Sequence, residues 1–179
     1  MSRVSKIFNY IPIWYYRVCF LIEDSVISSK EDLLSCLRFL KSSISYQYNL
    51  LSMISAVDFV GKKIRFCVCY ELLSPLYSSR VRVKCFLNEE GGIMSIVSLF
   101  KSANWWEREI WDLFGLYFKN HPDLRRLLTD YGFEGHPMRK DFPLYGFIEY
   151  RYSEQKGMVI PVDVSFSQEN RKFLTLNNW

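Results

Sequence analysis

The chain changes character after Gly115, and that change limits its fold more than any other property. Residues 116–179 hold four of the six prolines and twelve aromatic residues, yet they show little sustained hydrophobic period. Structureless loops of that length are rare inside compact domains. A free disordered tail is equally unsuitable, because Phe133, Phe142, Tyr145, Phe147, Tyr150 and Tyr152 would expose much apolar area to water. The remaining expectation is a segment that takes its order from another protein, since rings and arginines are what interfaces enrich. One short helix is expected within it, opened by Pro122, lined by Leu124, Leu127, Leu128 and Tyr131, and stopped by Gly132.

Residues 1–115 read as a folded head. A strand is expected over Arg17 to Ile22. Ser28 with Glu31 makes a capping-box start for an amphipathic helix over about 31–42, with Leu33, Leu34, Leu37 and Leu40 at helical spacing. Tyr46 to Val57, Lys63 to Leu72 and Arg80 to Leu87 read as strands, and in the last of these Val81, Val83, Cys85 and Leu87 alternate with a wetter set. Short connections between them imply antiparallel pairing. A helical stretch begins at Ile96 to Phe100, and Asn104 with Glu107 suggests the cap of a second helix carrying Trp106, Ile110, Leu113 and Phe114 on its apolar side, with Gly115 at its left-handed end. On that helix Arg108 and Asp112 stand one turn apart and can pair, leaving Glu107 and Glu109 on the polar side, either solvated or docked on a partner. The fold class is therefore α+β: a small, mostly antiparallel sheet with packed helices over 1–115, followed by a long extended C-terminal arm over 116–179.

Net charge is +4, without the concentrated basic stripe that nucleic-acid or anionic-lipid binding uses. No apolar run reaches the length of a membrane helix. The five cysteines are odd in number and lack CxxC spacing, which argues against a disulfide scaffold or a zinc or iron–sulfur site; Cys67 and Cys69 share a strand face but read as reduced packing residues. His121 and His136, each followed by proline, would serve a metal-assisted hydrolase together with Asp123, Glu134 or Asp141, but no two ligands stand at i, i+4 as HExxH requires; the other reading is local hydrogen bonding at turns. Phe66 and Tyr70 beside Lys63 and Arg65 would suit an RNA-binding sheet, although the RNP pattern is absent.

One continuous pattern goes further. Asn104-Trp105-Trp106-Glu107-Arg108-Glu109-Ile110-Trp111-Asp112-Leu113-Phe114-Gly115, then His121-Pro122-Asp123-Leu124-Arg125-Arg126-Leu127-Leu128-Thr129-Asp130-Tyr131-Gly132-Phe133-Glu134-Gly135-His136-Pro137-Met138-Arg139-Lys140-Asp141-Phe142-Pro143-Leu144, then Gly146, Glu149, Arg151 and Tyr152, resembles the thirty-kilodalton, NuoC-type subunit of respiratory complex I, and its mitochondrial members above all. Before residue 93 the likeness rests on element order and on Ala56-Val57-Asp58.

The resemblance implies a non-catalytic structural subunit of the quinone-reducing module of NADH:ubiquinone oxidoreductase. It would sit beside the 49-kDa subunit and the neighbouring iron–sulfur subunits, with FMN and iron–sulfur clusters on other chains and no cofactor, metal or catalytic residue of its own. It further implies that Glu107, Arg108, Glu109, Asp112, His121, Arg125, Arg126, His136, Arg139, Lys140, Asp141 and Arg151 are interface and arm-anchoring groups. The expected location is the matrix side of the mitochondrial inner membrane. The lack of an obvious presequence and the abundance of Phe, Tyr, Leu and Ser suit a mitochondrially encoded chain. Past Tyr152 the pattern departs at Ile160-Pro161 and over Val162 to Phe166, and returns at Gln168, Arg171 and Phe173.

Overall fold

The computed structural model describes residues 17–20, 24–89 and 91–165. Its elements are β1 (Arg17–Phe20), β2 (Asp24–Ser28), α1 (Leu33–Ser42), β3 (Leu50–Asp58), β4 (Phe66–Ser74), β5 (Ser79–Leu87), β6 (Ile93–Met94), α2 (Ala103–Phe114), β7 (Phe118–Lys119), β8 (Ile148–Ser153) and β9 (Met158–Asp163). Residues 21 and 22 of the expected first strand, and Gln168, Arg171 and Phe173, lie outside the described residues. Contacts divide the chain into Met1–Asp141 and Phe142–Trp179. Residues 116–141, which the sequence assigns to the arm, thus group with the first unit.

The first unit is built on a five-stranded sheet of order β1-β2-β5-β4-β3. The expected meander is present, with β3–β4 and β4–β5 antiparallel, while β2 lies parallel to β5 and antiparallel to β1. Alternation in β5 buries Val81, Val83, Cys85 and Leu87 against the same core as Phe66, Val68, Tyr70 and Leu72 of β4. A bulge between Leu51 and Met53 resets the register of β3, which lets Leu51 and Ile54, an odd number of positions apart, both reach that core. Leu33, Cys36, Leu37 and Leu40 of α1 close over it, with Ala103, Ile110 and Phe114 of α2.

Several local expectations are corrected. The turn before α1 is made by Ser29, whose hydroxyl bonds the Asp32 carboxylate (2.7 Å) and accepts the Asp32 amide (3.2 Å); the Ser28–Glu31 box does not form, and the helix starts at Leu33. Residues 96–100 make one turn, and α2 begins at Ala103 after Ser102. Asn104 is inside α2, with its Oδ1 buried and lacking a hydrogen-bond partner among the described residues. Gly115 does adopt the expected left-handed conformation, at φ 74°. No helix forms over 122–131, for a reason given by α2 itself, below.

The second unit contains the antiparallel β8–β9 hairpin, an element not expected from sequence. Gly157, at φ 61°, supplies its turn and donates its amide to the Ser153 carbonyl (2.8 Å). Pro161, which has no N–H, is tolerated because a two-stranded ribbon is all edge. Phe142 meets Phe147 edge-on, with ring centroids 5.5 Å apart.

Candidate functional site

The residues of the long motif converge on α2, because residues 116–141 run over that helix as a strap. At its first turns, Glu107 is fully buried, contrary to the polar position expected. Its Oε2 accepts the Ser95 hydroxyl (2.6 Å) and its Oε1 the Ile96 amide (2.7 Å). Burial pushes its carboxyl up to about 7, against the opposing effect of those two donors. His121, with its side chain out of contact with water, stands 3.7 Å from Glu107. The Asp123 amide donates to its Nδ1 (3.1 Å), so Nε2 carries the hydrogen and donates to the Asn104 carbonyl (3.2 Å).

Arg108 and Asp112 were expected to pair; their polar ends go instead to the strap backbone. Arg108 Nε donates to the Arg125 carbonyl (3.2 Å) and Nη2 to the Arg126 carbonyl (3.4 Å). Asp112, fully buried, accepts on Oδ2 the amides of Leu127 (3.2 Å), Leu128 (2.7 Å) and Thr129 (2.9 Å), and on Oδ1 the Thr129 hydroxyl (2.6 Å). Burial alone would raise this carboxyl, but the hydroxyl and the three amides together hold it below the usual carboxylate range. A helix over 122–131 would bond the Thr129 amide to the Arg125 carbonyl, and α2 captures both groups. That is the physical reason the expected helix is absent.

The strap then caps α2. The last carbonyls of a helix have no internal partner. Here Trp111 receives the Gly115 amide (2.9 Å), Asp112 receives His136 Nδ1 (2.9 Å), Leu113 receives the Met138 amide (3.1 Å) and Phe114 receives Arg139 Nε (2.6 Å). The fit needs glycine at 115, since a Cβ there would lie 2.6 Å from the His136 ring.

Finally the strap is tied to the sheet. Asp58, whose side chain is buried at the end of β3, takes Arg65 in a two-point fork (2.9 and 3.0 Å) and accepts the Lys140 amide (2.9 Å). Arg65 holds the Asp58 carboxyl below its ordinary range, outweighing burial. Arg65 also reaches Asp141 (2.9 Å), and Arg139 reaches Glu89 (2.6 Å). Sequence reasoning missed Asp58, Arg65, Glu89, Ser95 and Thr129 as members of this network. Two of them carried a signal, Asp58 through the Ala56-Val57-Asp58 likeness and Thr129 within the continuous pattern.

The other expected site residues are more open. Arg125 pairs with Asp123 (3.0 Å) at an exposed position, Arg126 bonds Thr129 Oγ1 (3.2 Å) and the Gly135 carbonyl (3.0 Å), Glu109 is half-buried, and Arg151 of β8 pairs with Glu149 (2.7 Å). His121 and His136 serve opposite ends of α2, and among the described residues no group of three metal-ligating side chains assembles. Phe66 and Tyr70 are wholly buried, so they cannot stack bases. Large apolar side chains are also left exposed: Trp105, Leu128, Tyr131 and Met138 in the first unit, and Phe147, Ile148, Tyr150, Tyr152, Met158 and Val159 in the second. On β8, Ile148, Tyr150 and Tyr152 share one face.

Residues 26–147 match the family described as respiratory-chain NADH dehydrogenase, 30 Kd subunit. The chain is 51% identical over 148 residues to NADH-ubiquinone oxidoreductase subunit 9 of Reclinomonas americana, which covers 83% of this chain and 72% of that protein. It is 50% identical over 147 residues to NADH dehydrogenase (ubiquinone) iron-sulfur protein 3 of Arabidopsis thaliana, covering 82% and 77%. Among solved structures, the trypsin-resistant fragment of Nqo5 aligns with a TM-score of 0.59 at 28% identity, over 69% of this chain and 100% of that one. A chain of the membrane-bound sulfane sulfur reductase, an archaeal respiratory membrane complex, shares the fold with a TM-score of 0.67 at 23% identity, over 79% and 84%.

Proposed function

The chain belongs to the family of 30-kDa subunits of respiratory-chain NADH dehydrogenase, and from that premise we propose that it works as a non-catalytic brace for the quinone-reducing module of complex I. As a family member it is a subunit of NADH–quinone oxidoreductase. The bracing role is supported by how its charged motif is used: Glu107, Arg108, Asp112, His136 and Arg139 are consumed inside the first unit, making a stiff body, while rings face outward. Exposed Tyr131, Tyr150 and Tyr152 have the chemistry of interface anchors, combining a large apolar ring with a polar tip at low entropic cost. We assign them to contacts with the 49-kDa subunit and its iron–sulfur neighbours, FMN and the clusters being held by other chains. The proposed site of action is the matrix-side arm of the mitochondrial inner membrane, and the abundance of Phe, Tyr, Leu and Ser suits organelle encoding. Among the described residues no helix is long and apolar enough to cross a membrane.

The carrying observation is the exposed tyrosine face of β8, and it is tested by Tyr150→Ser with Tyr152→Ser. The abundance of assembled complex on native gels should fall, while the thermal unfolding of the isolated chain and the turnover of each assembled complex stay unchanged. Normal abundance with altered turnover would overturn the reading.

A further inference from the structure

Cys67 and Cys69 lie two residues apart on β4, so both side chains stand on the sheet face opposite the Phe66, Val68 and Tyr70 core. Their sulfurs are 3.9 Å apart. Two sulfurs at that separation are within reach of one ion at thiolate–metal distances of about 2.3 Å. Cys67 is flanked in register by Val57 on β3 and Phe86 on β5, and is only 3% exposed; Cys69 is flanked by Ser55 and Lys84 and is half-buried. Cys67 is thus the more shielded of the two residues and Cys69 the more accessible.

We propose that Cys67 and Cys69 form a two-thiolate site for a soft monovalent cation of the Cu(I) class. Thiolate sulfur selects such cations over harder ones. Among the described residues no third His, Cys, Asp or Glu joins the pair, so a closed four-ligand zinc site is not available and the occupant is one satisfied by two sulfurs. Binding exchanges two thiol protons for two metal–sulfur bonds and leaves one net negative charge on the site. Lys84, in register with Cys69, and Arg82 two pairs further along β5 lie on the same strand face as that charge; Glu71, paired with Arg82, opposes it. The electrostatics agree with this. A hydrogen bond from Cys67, then Lys84 and Arg82, bring the Cys69 thiol down to about 7, while the same hydrogen bond and burial move Cys67 upward.

The test uses the reduced full chain under argon and Cu(I) supplied from a coloured Cu(I)-chelator complex. One Cu(I) per chain should be withdrawn from the chelator, and both Cys67→Ala and Cys69→Ala should lose that equivalent with the circular dichroism spectrum unchanged. On the unmutated chain, iodoacetamide should modify Cys69, read by mass spectrometry, and one equivalent of Cu(I) should block it. Failure to withdraw Cu(I), retention of the equivalent in either folded variant, or modification of Cys69 unaffected by Cu(I) each overturns the site.

Discussion

Arg108 and Asp112, one turn apart on α2, hold the two halves of a hydrogen bond that the strap would otherwise make within itself: Arg108 takes the Arg125 carbonyl and Asp112 takes the Thr129 amide. Removing the carboxylate should therefore release the strap rather than merely weaken a surface pair. Asp112→Ala strands three backbone amides and a hydroxyl, and should destabilise the chain by about 3 kcal/mol. Denaturant midpoints measure this, and an unchanged midpoint would contradict it. Acid should act in the same direction. Asp58 and Asp112 are both held below their ordinary values, so their contribution is present above about pH 4 and is lost as pH falls through the folded values.

Glu107 should give the opposite sign. Its carboxyl is raised from 4.5 to about 7, so the folded state binds the proton more tightly than the unfolded one. Stability from this group is full below about pH 4.5 and declines as pH rises towards 7, by about 3 kcal/mol at most. Glu107→Gln keeps an acceptor for the Ile96 amide and has no charge to bury. Its stability should match the parent at pH 4.5 and exceed it at pH 8. Thermal unfolding curves that stay parallel across that range would show that the carboxylate is already ionised when buried.

Gly115 and Gly132 allow backbone strain to be separated from crowding. Both have φ 74°, but a Cβ at 132 meets nothing within 4 Å, whereas one at 115 meets His136 at 2.6 Å and Arg139 at 2.8 Å. Gly132→Ala should cost about 1 kcal/mol, the left-handed penalty alone. Gly115→Ala should cost clearly more and should expose the C-terminal carbonyls of α2. Equal losses in melting temperature would mean that the strap yields freely.

Limited trypsin digestion should respect the same network. Arg126 and Arg139 have bonded side chains, and the Arg125 and Arg126 carbonyls are held by Arg108. Arg151 and Lys156 lie on or beside the open β8–β9 turn. First cuts are expected after Arg151 and Lys156, leaving a fragment that retains the strap. Early cleavage at Arg125 or Arg126 would argue that the strap is loose in solution.

Much of this was readable from the residues. The apolar alternation of β5 gave its buried face, the spacing of Leu33, Leu37 and Leu40 gave α1, and Gly115 marked the end of α2. What could not be read were tertiary captures. Pro122, Leu124, Leu127 and Leu128 have good helical spacing, but local pattern does not reveal a buried carboxylate fifteen residues earlier that takes the amide of Leu127. Glu107 resembles a capping residue because cap and core carboxylates look alike in one dimension, and Ser95 and Ile96 claimed it. The β8–β9 ribbon escaped notice because Tyr150 and Tyr152 alternate with Glu149 and Arg151 without a buried side, so the usual contrast between wet and dry faces is missing. The twelve expected interface residues divide accordingly: most of those on α2 and the strap serve internal cohesion, and Arg151 remains on the surface.

The parallel pairing of β2 with β5 imposes an order on biosynthesis. Ser25 to Ser28 have their inner neighbours at Arg82 to Cys85, so this edge of the sheet cannot close until the ribosome has passed that point. The β3–β4 hairpin, complete at Ser74, is free to close earlier. Nascent chains stalled before Arg82 would leave β2 with an open edge, the kind of surface on which chaperones and stray strands compete.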